Sequence, residues 1–535
     1  MSLTYSYFLG LRNLDIIMRC KDFVKKAKGV VVDSIAVEQA DDAAVIADIY
    51  GNGDTDGVFQ FESGGMKKTL RSFVPKQIED VILLNAAYRP GPMQYIPQVT
   101  DVKFKRAEPN YIVPEMKDIL EPTYGSPIYQ EQIQQIFHEI AGFSLGQADI
   151  IRRAMSKKHL DELEAAKDGF VAGFRAKGAK DDEIERFWNE LLEFAKYAFN
   201  KSHAAAYSVL SYYTAWLKHY YPVEYMASLM SYSTKDDIGL YVKDAKDYGI
   251  TILPPDINRS FAYTAPTKSG QIRFGLEGLK DVGAAAEKII AERRARGPFK
   301  SLADFLLRCV IAGVEKSAIE SLVKTGSLGT LVVNRQEVVE NLSGYISACR
   351  AAIRKADEDA KKSEGFIKNP CDESQIQSWL YQRIDENGPF VLPAAEPCAE
   401  YDYTTMLKQE KEYAGFYVSG NPLEKYRNLL TKYVHTPISE VTAEESEVTV
   451  VGHIAELTVL KRKSDGRSMC KFTIEDLTGS LEAICFVKQY ERLNGQLTEG
   501  AIVTVKGKIE AQDDNAGEDS KKRLQMVVRS GRKLT

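Results

Sequence analysis

Five short segments of alternating apolar and polar residues occupy the last part of the chain. In order, they are VTVVGHI, CKFTIED, LEAICFV, AIVTVKGKIE and RLQMVVR. Gly466, Gly479 and Gly500 lie between them, and glycine is a common turn residue. Such alternation predicts β-strands, and five short strands joined by turns are typical of an OB-fold, a partly open barrel that binds single-stranded nucleic acid. We therefore predict an all-β OB-fold over residues 441–535.

The hairpins of this predicted barrel carry basic residues. Lys461, Arg462 and Lys463 fall in the first long hairpin, and the last hairpin contains a further basic run. Such side chains can bind a nucleic-acid backbone, whereas base stacking requires exposed aromatic rings. Phe472 and Phe486 are the two candidates for stacking, although either ring could instead belong to the core.

The rest of the chain has mostly helical periodicity and is too long for one domain. A chain of 535 residues usually divides into several domains. Helical patterns dominate ahead of the barrel segments, interrupted by loops rich in glycine and proline. The predicted fold class is therefore multidomain, with a mostly α-helical first part followed by the all-β OB-fold.

The composition of the chain argues against a membrane-spanning protein, a disulfide-rich protein and a zinc protein. No run approaches the roughly 18 consecutive apolar residues of a membrane span, so no membrane partner is predicted. The seven cysteines are scattered and form no CxxC pair, which argues against a disulfide framework and a zinc site. We expect a cytoplasmic protein without a metal site in this chain. The net charge of −5 argues against a uniformly basic nucleic-acid binder, so basic stripes must be local.

Residues 197–218, YAFNKSHAAAYSVLSYYTAWLK, predict a capped helix with cationic residues at its start. Asn200 or Ser202 can cap the helix, which places Lys201 and His203 where it begins. A helix start offers unpaired N–H groups and a positive dipole end, so these two side chains favour an anion such as phosphate. The alternative is an ordinary capped helix with its apolar face toward a core.

A second cluster of cations lies at residues 147–158, QADIIRRAMSKK. Arg153 and Lys157 stand at helical i, i+4 spacing, with Arg152 and Lys158 beside them. Like charges at that spacing destabilise an isolated helix by a few tenths of a kcal/mol. A bound polyanion would offset that repulsion, so we predict an anion site. The alternative is a solvated helix face.

Two loops precede these helices. Residues 51–65, GNGDTDGVFQFESGG, predict turns around a short strand, followed by a basic helix. Asp54 and Asp56 there favour a turn, with metal binding as the alternative. Residues 88–92, YRPGP, predict a rigid loop that presents Arg89, because each proline restricts its neighbours.

Several motifs occur together: GVFQFES, RPGP, YGSPIYQEQ, IIRRAM and FNKSHAAAYSVLSYYTAWLK. In this order and roughly this spacing they resemble the fingers of C-family replicative DNA polymerases, the alpha subunits of bacterial DNA polymerase III. The resemblance covers nearly the whole chain. It implies that the fingers hold the triphosphate of an incoming dNTP and the templating base. The residues it implies for the nucleotide pocket are Arg152, Arg153, Asn200, Lys201 and His203.

The resemblance also implies where the catalytic centre lies. In the family a catalytic aspartate directly precedes the FLGLR strand, whereas Tyr7 stands at that position here. Two-metal phosphoryl transfer needs clustered carboxylates to hold the ions. We therefore expect no catalytic residue, no metal and no cofactor in this chain, which alone is predicted to be inactive. Mg²⁺ is expected only for the intact polymerase.

A helix-hairpin-helix is predicted at residues 274–296, FGLEGLKDVGAAAEKIIAERRAR, with a turn between two helical halves. Glycines in the turn let backbone N–H groups approach a DNA phosphate without sequence preference. The candidate DNA-binding residues here are Gly278, Lys280, Gly283, Arg293 and Arg294. Residues 319–328 predict a second, weaker hairpin, and a purely structural helix pair is the alternative.

Residues 336–363 predict a polar helix, and residues 364–400 a flexible linker. Within the linker, Gln377, Leu380 and Tyr381 resemble the peptide with which the family binds the sliding clamp. The predicted domains are a palm remnant with its connection (1–50), the fingers (51–250), the helix-hairpin-helix region (251–340), a linker with a clamp-proximal helical region (341–440) and the OB-fold (441–535).

Three functional hypotheses remain open. The first is the fingers-to-OB portion of a replicative DNA polymerase alpha subunit. Its partners would be template–primer duplex, single-stranded template, dNTP, the sliding clamp and other replisome subunits. The second is a non-enzymatic DNA-binding scaffold of the replisome, and the third is the error-prone polymerase paralogue, which shares the fingers motifs.

Overall fold

The chain forms two compact units, which we call the insert unit, Asp33–Tyr220, and the flanking unit, Met1–Val32 with Tyr221–Thr535. A computed structural model describes residues 11–33, 40–157, 165–195, 198–361, 381–382, 390–420, 423, 426–430, 432–433, 435–442, 447–462, 466–493, 495–512 and 523–534. Tyr7 lies outside these residues. None of the helices described is both long and apolar enough to span a bilayer.

The flanking unit begins with helix α1 (Arg12–Lys28). Its apolar face is buried, and the last turn is basic, which suits the negative end of the helix dipole. Gly29 follows with a φ of 69° and donates its N–H to the carbonyl of Lys25, so a left-handed residue closes the helix. The guanidinium of Arg19 lies 4.3 Å from the ring centroid of Tyr263.

In the described residues of the insert unit, the regular secondary structure is helical apart from one isolated bridge between Tyr129 and Phe199. Its α-helices are α2 (Ala43–Val45), α3 (Gly64–Phe73), α4 (Ile78–Ala87), α5 (Ile96–Lys103), α6 (Met116–Leu120), α7 (Gln130–Gln135), α8 (Leu145–Lys157), α9 (Lys167–Ala176), α10 (Asp181–Ala195) and α11 (Lys201–Tyr220). Short 3₁₀ turns cover Pro92–Tyr95 and Glu121–Thr123, and wider π turns cover Ile46–Gly51 and Ile136–Ile140.

Two apolar cores hold the insert unit together. One surrounds α4 and α11 and includes Tyr50, Phe61 and Tyr212. The other includes Phe137 and Trp188, which is fully buried on α10. The polar start of α11 therefore lies on a helix whose other face is anchored in a core.

The glycine-rich loop of residues 51–65 contains no strand, so the predicted short strand is wrong. The loop is instead held by lysines. The Lys218 ammonium is fully buried, 2.8 Å from a carboxylate oxygen of Asp54, and donates to the carbonyls of Asp54 and Asp56. Lys67 pairs with the Asp56 carboxylate at 2.5 Å. Internal ion pairs rather than alternating apolar contacts define this turn.

The flanking unit continues with helices and a small sheet. Its further α-helices are α12 (Pro222–Tyr232), α13 (Lys235–Asp247), α14 (Ala285–Arg296), α15 (Leu302–Ile311), α16 (Lys316–Lys324), α17 (Arg335–Lys361), α18 (Tyr403–Ala414), α19 (Arg427–Leu430) and α20 (Val487–Leu493). Strands β1 (Ile252–Leu253), β2 (Ala265–Pro266) and β3 (Ile272–Arg273) pair in the order β1-β3-β2. Short 3₁₀ turns cover Gly329–Leu331 and Ile438–Glu440.

The predicted helix-hairpin-helix at residues 274–296 is only half right. Residues 274–277, which precede its turn, form a loop and a bend after β3 instead of a helix, and only α14 follows as a helix. Helices in succession do occur further along, where α14, α15, α16 and α17 are separated by short turns. Arg308 on α15 is buried and donates to the carbonyls of Glu292 and Gly297, which ties α15 to the end of α14.

The predicted polar helix at residues 336–363 is confirmed by α17. The flexible-linker prediction is wrong for residues 390–400, because this extended segment is bonded to the start of α17. The Glu400 carboxylate accepts from the N–H of Arg335, and Asn334 donates to the carbonyl of Cys398. Residues 362–380 and 383–389, with Gln377 and Leu380, lie outside the described residues.

The C-terminal barrel contains β4 (Val448–Lys461), β5 (Ser468–Glu475), β6 (Ser480–Cys485), β7 (Ile502–Gln512) and β8 (Arg523–Lys533). The strands close in the order β4-β5-β6-β8-β7. The β6–β8 pair is parallel and the other pairs are antiparallel. The predicted fold class, a mostly helical chain followed by a five-stranded OB-type barrel, is confirmed, although the barrel is closed rather than partly open.

Candidate functional site

The start of α11 is built as the sequence predicts. The Asn200 side chain caps the helix, since its Oδ1 accepts the N–H of His203 at 2.8 Å. Its backbone carbonyl accepts the first intrahelical bond, from Ala204. Lys201 and His203 therefore stand in the first turn, where backbone N–H groups are unpaired in an isolated helix.

This helix start already holds carboxylates of the protein itself. The Glu131 carboxylate accepts from Asn200 Nδ2 at 2.6 Å and from the backbone N–H of Lys201 at 3.0 Å. The Lys201 ammonium lies 3.1 Å from Glu79 Oε2, and this ion pair is more than a third exposed on both sides. The donors of the predicted anion site are thus engaged with carboxylates of the protein itself, and anion binding stays a prediction.

The two predicted arginines stand side by side on α8 and share one carboxylate. Asp149 receives Arg152 Nη2 at 2.9 Å and Arg153 Nε at 2.8 Å. The hydrogen bond from Arg152 and the charge of Arg153 hold the pKa of Asp149 below its ordinary value. Arg153 has a side chain that is 67% exposed, so it can reach a ligand. The Lys157 side chain and Lys158 lie outside the described part.

A row of aromatic rings along α11 was missed by the sequence interpretation. The guanidinium carbon of Arg89 lies 3.7 Å from the ring centroid of Phe199. His203 contacts Phe199 edge-on and stacks on Tyr207, which stacks in turn on Phe59. The four-residue spacing of positions 199, 203 and 207 indicates one helical face and could have been recognised in the sequence. Nothing in the sequence linked Phe59 or Arg89 to that face. The sequence predicts that the loop presents Arg89 outward, whereas the Arg89 guanidinium packs on the Phe199 ring.

The predicted DNA-binding turn is partly engaged within the flanking unit. Lys280 donates its backbone N–H to the Tyr413 carbonyl, and its ammonium pairs with Glu412 at 2.6 Å, which raises the lysine pKa. Gly283 has a φ of 39°, and Gly278 packs beside the Phe274 ring. The backbone N–H and the ammonium of Lys280, which the sequence analysis assigned to DNA, thus make internal contacts instead.

Arg293 and Arg294 are neighbours on α14 with different surroundings. Arg293 donates to the carbonyls of Ile257 and Ser260 at 2.7 Å each, and its burial lowers its pKa. This geometry gives Arg293 a structural role in place of the predicted phosphate contact. Arg294 is exposed and remains the candidate for DNA contact on this helix.

Tyr381, predicted to bind a sliding clamp, is buried against α14. Its hydroxyl donates to Glu292 Oε2 at 3.1 Å, and the Arg296 guanidinium lies 3.5 Å from its ring centroid. Burial raises the pKa of this tyrosine. A ring in this position is not presented to a partner, because it packs within the flanking unit.

The barrel separates the two stacking candidates. Phe472 on β5 is buried in the core, whereas Phe486, just after β6, is 46% exposed. Lys461 is exposed at the end of β4, next to exposed Val459 and Leu460. Arg462 follows β4, and Lys463 lies outside the described residues. The barrel surface thus offers Phe486 together with apolar and basic side chains.

Metal ligands do not cluster in the part of the chain that the structure describes. Within it, no group of three or more His, Cys, Asp or Glu side chains is placed to hold an ion. Asp54 and Asp56, the sequence candidates, are paired with Lys218 and Lys67. These residues therefore do not fit a magnesium site.

Comparison with known proteins gives three matches in the order of the structural regions. Residues 13–178 match the family described as the bacterial DNA polymerase III alpha subunit finger domain. Residues 249–338 match a helix-hairpin-helix motif, and residues 448–534 an OB-fold nucleic acid binding domain. The family resemblance found in the sequence is thereby confirmed.

Relatives support the same identification over nearly the whole chain. DNA polymerase III subunit alpha of Thermus aquaticus is 37% identical over 95% of this chain, and that of Borreliella burgdorferi is 36% identical over 94%. The corresponding protein of Bacillus subtilis is 34% identical over 95%. The matches cover 40%, 42% and 43% of these relatives, so the chain spans about two fifths of their length.

Proposed function

We propose that this chain, which is similar from its finger domain to its OB-fold to the alpha subunits of bacterial DNA polymerase III, binds template–primer DNA and an incoming dNTP for DNA synthesis. The observation that carries the proposal is the collinear order of finger, helix-hairpin-helix and OB-fold matches. A finger domain and two nucleic-acid-binding modules in one chain suit a protein that handles nucleotide and DNA together.

Nucleotide binding is assigned to the insert unit. Lys201 and His203 at the start of α11, and Arg152 and Arg153 on α8, offer cationic groups, and Asn200 holds the helix start in place. A triphosphate is stabilised by such groups because charge-assisted hydrogen bonds are stronger than neutral ones. The present ion pairs of Lys201 and Arg153 are exposed and of small energy, so a ligand can replace them.

DNA binding is assigned to the flanking unit. Arg294 on α14 offers an exposed cation for phosphate, and Lys461, Arg462 and Phe486 on the barrel suit a single strand. Backbone contacts of this kind give affinity without sequence preference, as replication requires.

The remaining parts of the proposal concern the whole polymerase. We assign Mg²⁺, the sliding clamp and other replisome subunits to the intact cytoplasmic enzyme, and we derive no step through a metal from the residues described. A clamp contact, if it uses residues 377–381, requires Tyr381 to leave its site on α14.

Calorimetric titration of a deoxynucleoside triphosphate into the chain with primer–template DNA tests the nucleotide assignment. Lys201→Ala should weaken binding by roughly 1–3 kcal/mol, the value of a charged hydrogen bond. Lys177→Ala is a matched control, because Lys177 is equally exposed and also pairs with one glutamate of the same unit, Glu115. Equal affinities in the two variants would contradict the assignment.

A further inference from the structure

The starts of helices α7 and α11 are tied side by side in the insert unit. Phe199 donates its N–H to the Ile128 carbonyl, and Gln130 donates its own to the Phe199 carbonyl. The Gln130 side chain adds a bond to the Ala198 carbonyl at 2.9 Å. Two helices therefore begin at one place, although about 70 residues separate them in the chain.

Glu131 lies in the first turn of α7 and reaches the start of α11. Its two oxygens bind different groups, Asn200 Nδ2 and the Lys201 N–H. Both helices direct their positive dipole ends toward this region, and a carboxylate there offsets the repulsion between them. Glu131 therefore holds the backbone of Lys201 and the side chain of Asn200 at the start of α11.

The same short helix connects to the arginines. Helix α7 packs against α8, which carries Arg152 and Arg153. A shift of α11 relative to α7 would move Lys201 relative to these arginines, and misplacement of ligand-binding groups by about 1 Å is costly.

We propose that Glu131 is a positioning residue for the phosphate-binding groups, holding Lys201 and Asn200 in place without itself contacting the nucleotide. The inference rests on the proposed nucleotide binding. Glu79 has the opposite role, because it pairs with the Lys201 ammonium and competes with a bound anion.

Two substitutions with the same change of charge separate positioning from simple electrostatics. Glu131→Gln and Glu79→Gln each remove one negative charge beside Lys201, so a general electrostatic effect would strengthen triphosphate binding in both. Positioning predicts opposite signs. Glu79→Gln should bind about two- to fivefold more tightly. Glu131→Gln should bind about tenfold more weakly, since the amide NH₂ faces a donor and one bond is lost.

The measurement is calorimetry of a deoxynucleoside triphosphate on the full chain with primer–template DNA, at a temperature well below unfolding. Glu139→Gln is the control, an exposed glutamate just beyond α7 on the same helical stretch. Glu131→Asp keeps the charge and should recover part of the affinity. Tighter or unchanged binding by Glu131→Gln would overturn the proposal, because a purely structural glutamate would lower stability without lowering affinity in the folded chain.

Amide hydrogen exchange gives an independent test that needs no ligand. In Glu131→Gln, the first turn of α11 should exchange about tenfold faster, while the end of the helix keeps its protection. If the amides in the first turn of α11 exchanged at an unchanged rate, the positioning role would be overturned even if the affinity for the triphosphate fell. Absence of triphosphate binding by the unmodified chain would instead contradict the proposed function, and hydrogen exchange alone would then decide the role of Glu131.

Discussion

Arg293 and Arg294 allow a sharp test of which cations of the flanking unit meet DNA. Both belong to α14 and are adjacent in the chain, but Arg293 donates to two backbone carbonyls while Arg294 is exposed. Replacing each in turn with methionine removes one charge and keeps most of the side-chain volume. The two variants should therefore fail in different ways.

The magnitudes follow from the contacts. Arg293→Met leaves the carbonyls of Ile257 and Ser260 without their donor, and an unsatisfied acceptor costs about 1–3 kcal/mol. Because the site is only half-buried and water can compensate in part, we expect a loss of about 2–4 kcal/mol in the free energy of unfolding. Arg294→Met should cost less than about 0.5 kcal/mol, as exposed substitutions usually do.

DNA binding should show the reverse order. Each phosphate contact contributes about 0.9 to the slope of log affinity against log salt on duplex DNA. Arg294→Met should therefore flatten that slope by about one, and Arg293→Met should leave it unchanged at temperatures where the variant is folded. Fluorescence anisotropy of a labelled primer–template duplex between about 50 and 200 mM salt measures both slopes.

Two outcomes would refute this assignment. An unaltered slope in Arg294→Met would show that α14 does not meet phosphate. A flattened slope in a stable Arg293→Met protein would show that Arg293 leaves its carbonyls to bind DNA. Hydrogen exchange at residues 256–261 decides whether Arg293→Met has loosened the loop that it holds.

Three further predictions concern stability and single-strand binding. Lys218→Met should lower the unfolding free energy of the insert unit by about 3 kcal/mol, the low end for a broken buried pair, as checked by thermal unfolding; a change below about 1 kcal/mol would contradict it. Tyr220 donates to Asp42 and lowers its pKa below the ordinary 3.8. A carboxyl whose pKa is lowered in the folded state stabilises the fold at pH values above its ordinary pKa. This stabilisation is lost as the pH falls through the folded-state pKa. At about pH 5, Tyr220→Phe should therefore have a lower melting temperature than the unmodified chain. Once the Asp42 carboxyl is protonated, the two melting temperatures should be equal, and a difference that persists in acid would point to another cause. Phe486→Ala should weaken binding of a single-stranded oligonucleotide by roughly 1–3 kcal/mol per stacked base, whereas Val459→Ala, equally exposed but not aromatic, should not; equal effects would exclude stacking.

The local parts of the site were predictable from the sequence. Asn200 was identified as a possible cap because capping depends on residues within one turn of the helix start. The five strands of the barrel followed from their alternation and from the glycines between them. In each case the signal and the structure lie within a few residues of each other.

What required the structure was the partner of each charged group. Glu131 meets Asn200 from 69 positions away, and no local pattern marks it as that partner. Arg293 and Arg294 are adjacent in the chain and have the same sequence neighbours. Only Arg293 has a structural role, because the loop of residues 256–261 brings its carbonyls to that side chain. The helical half expected at residues 274–277 is a loop instead, because these residues directly follow β3, which is paired with β1 and β2.

The fully buried Trp188 determines what optical experiments on this chain will report. The chain has three tryptophans; Trp188 and the half-buried Trp216 belong to the insert unit, and the barrel residues from Val448 to Lys533 contain none. Intrinsic emission will therefore follow mainly the melting of the insert unit, and the barrel can unfold without a spectral signal of its own. A tryptophan introduced in place of Phe486 would give the barrel its own fluorophore, at the surface where a single strand is expected to bind.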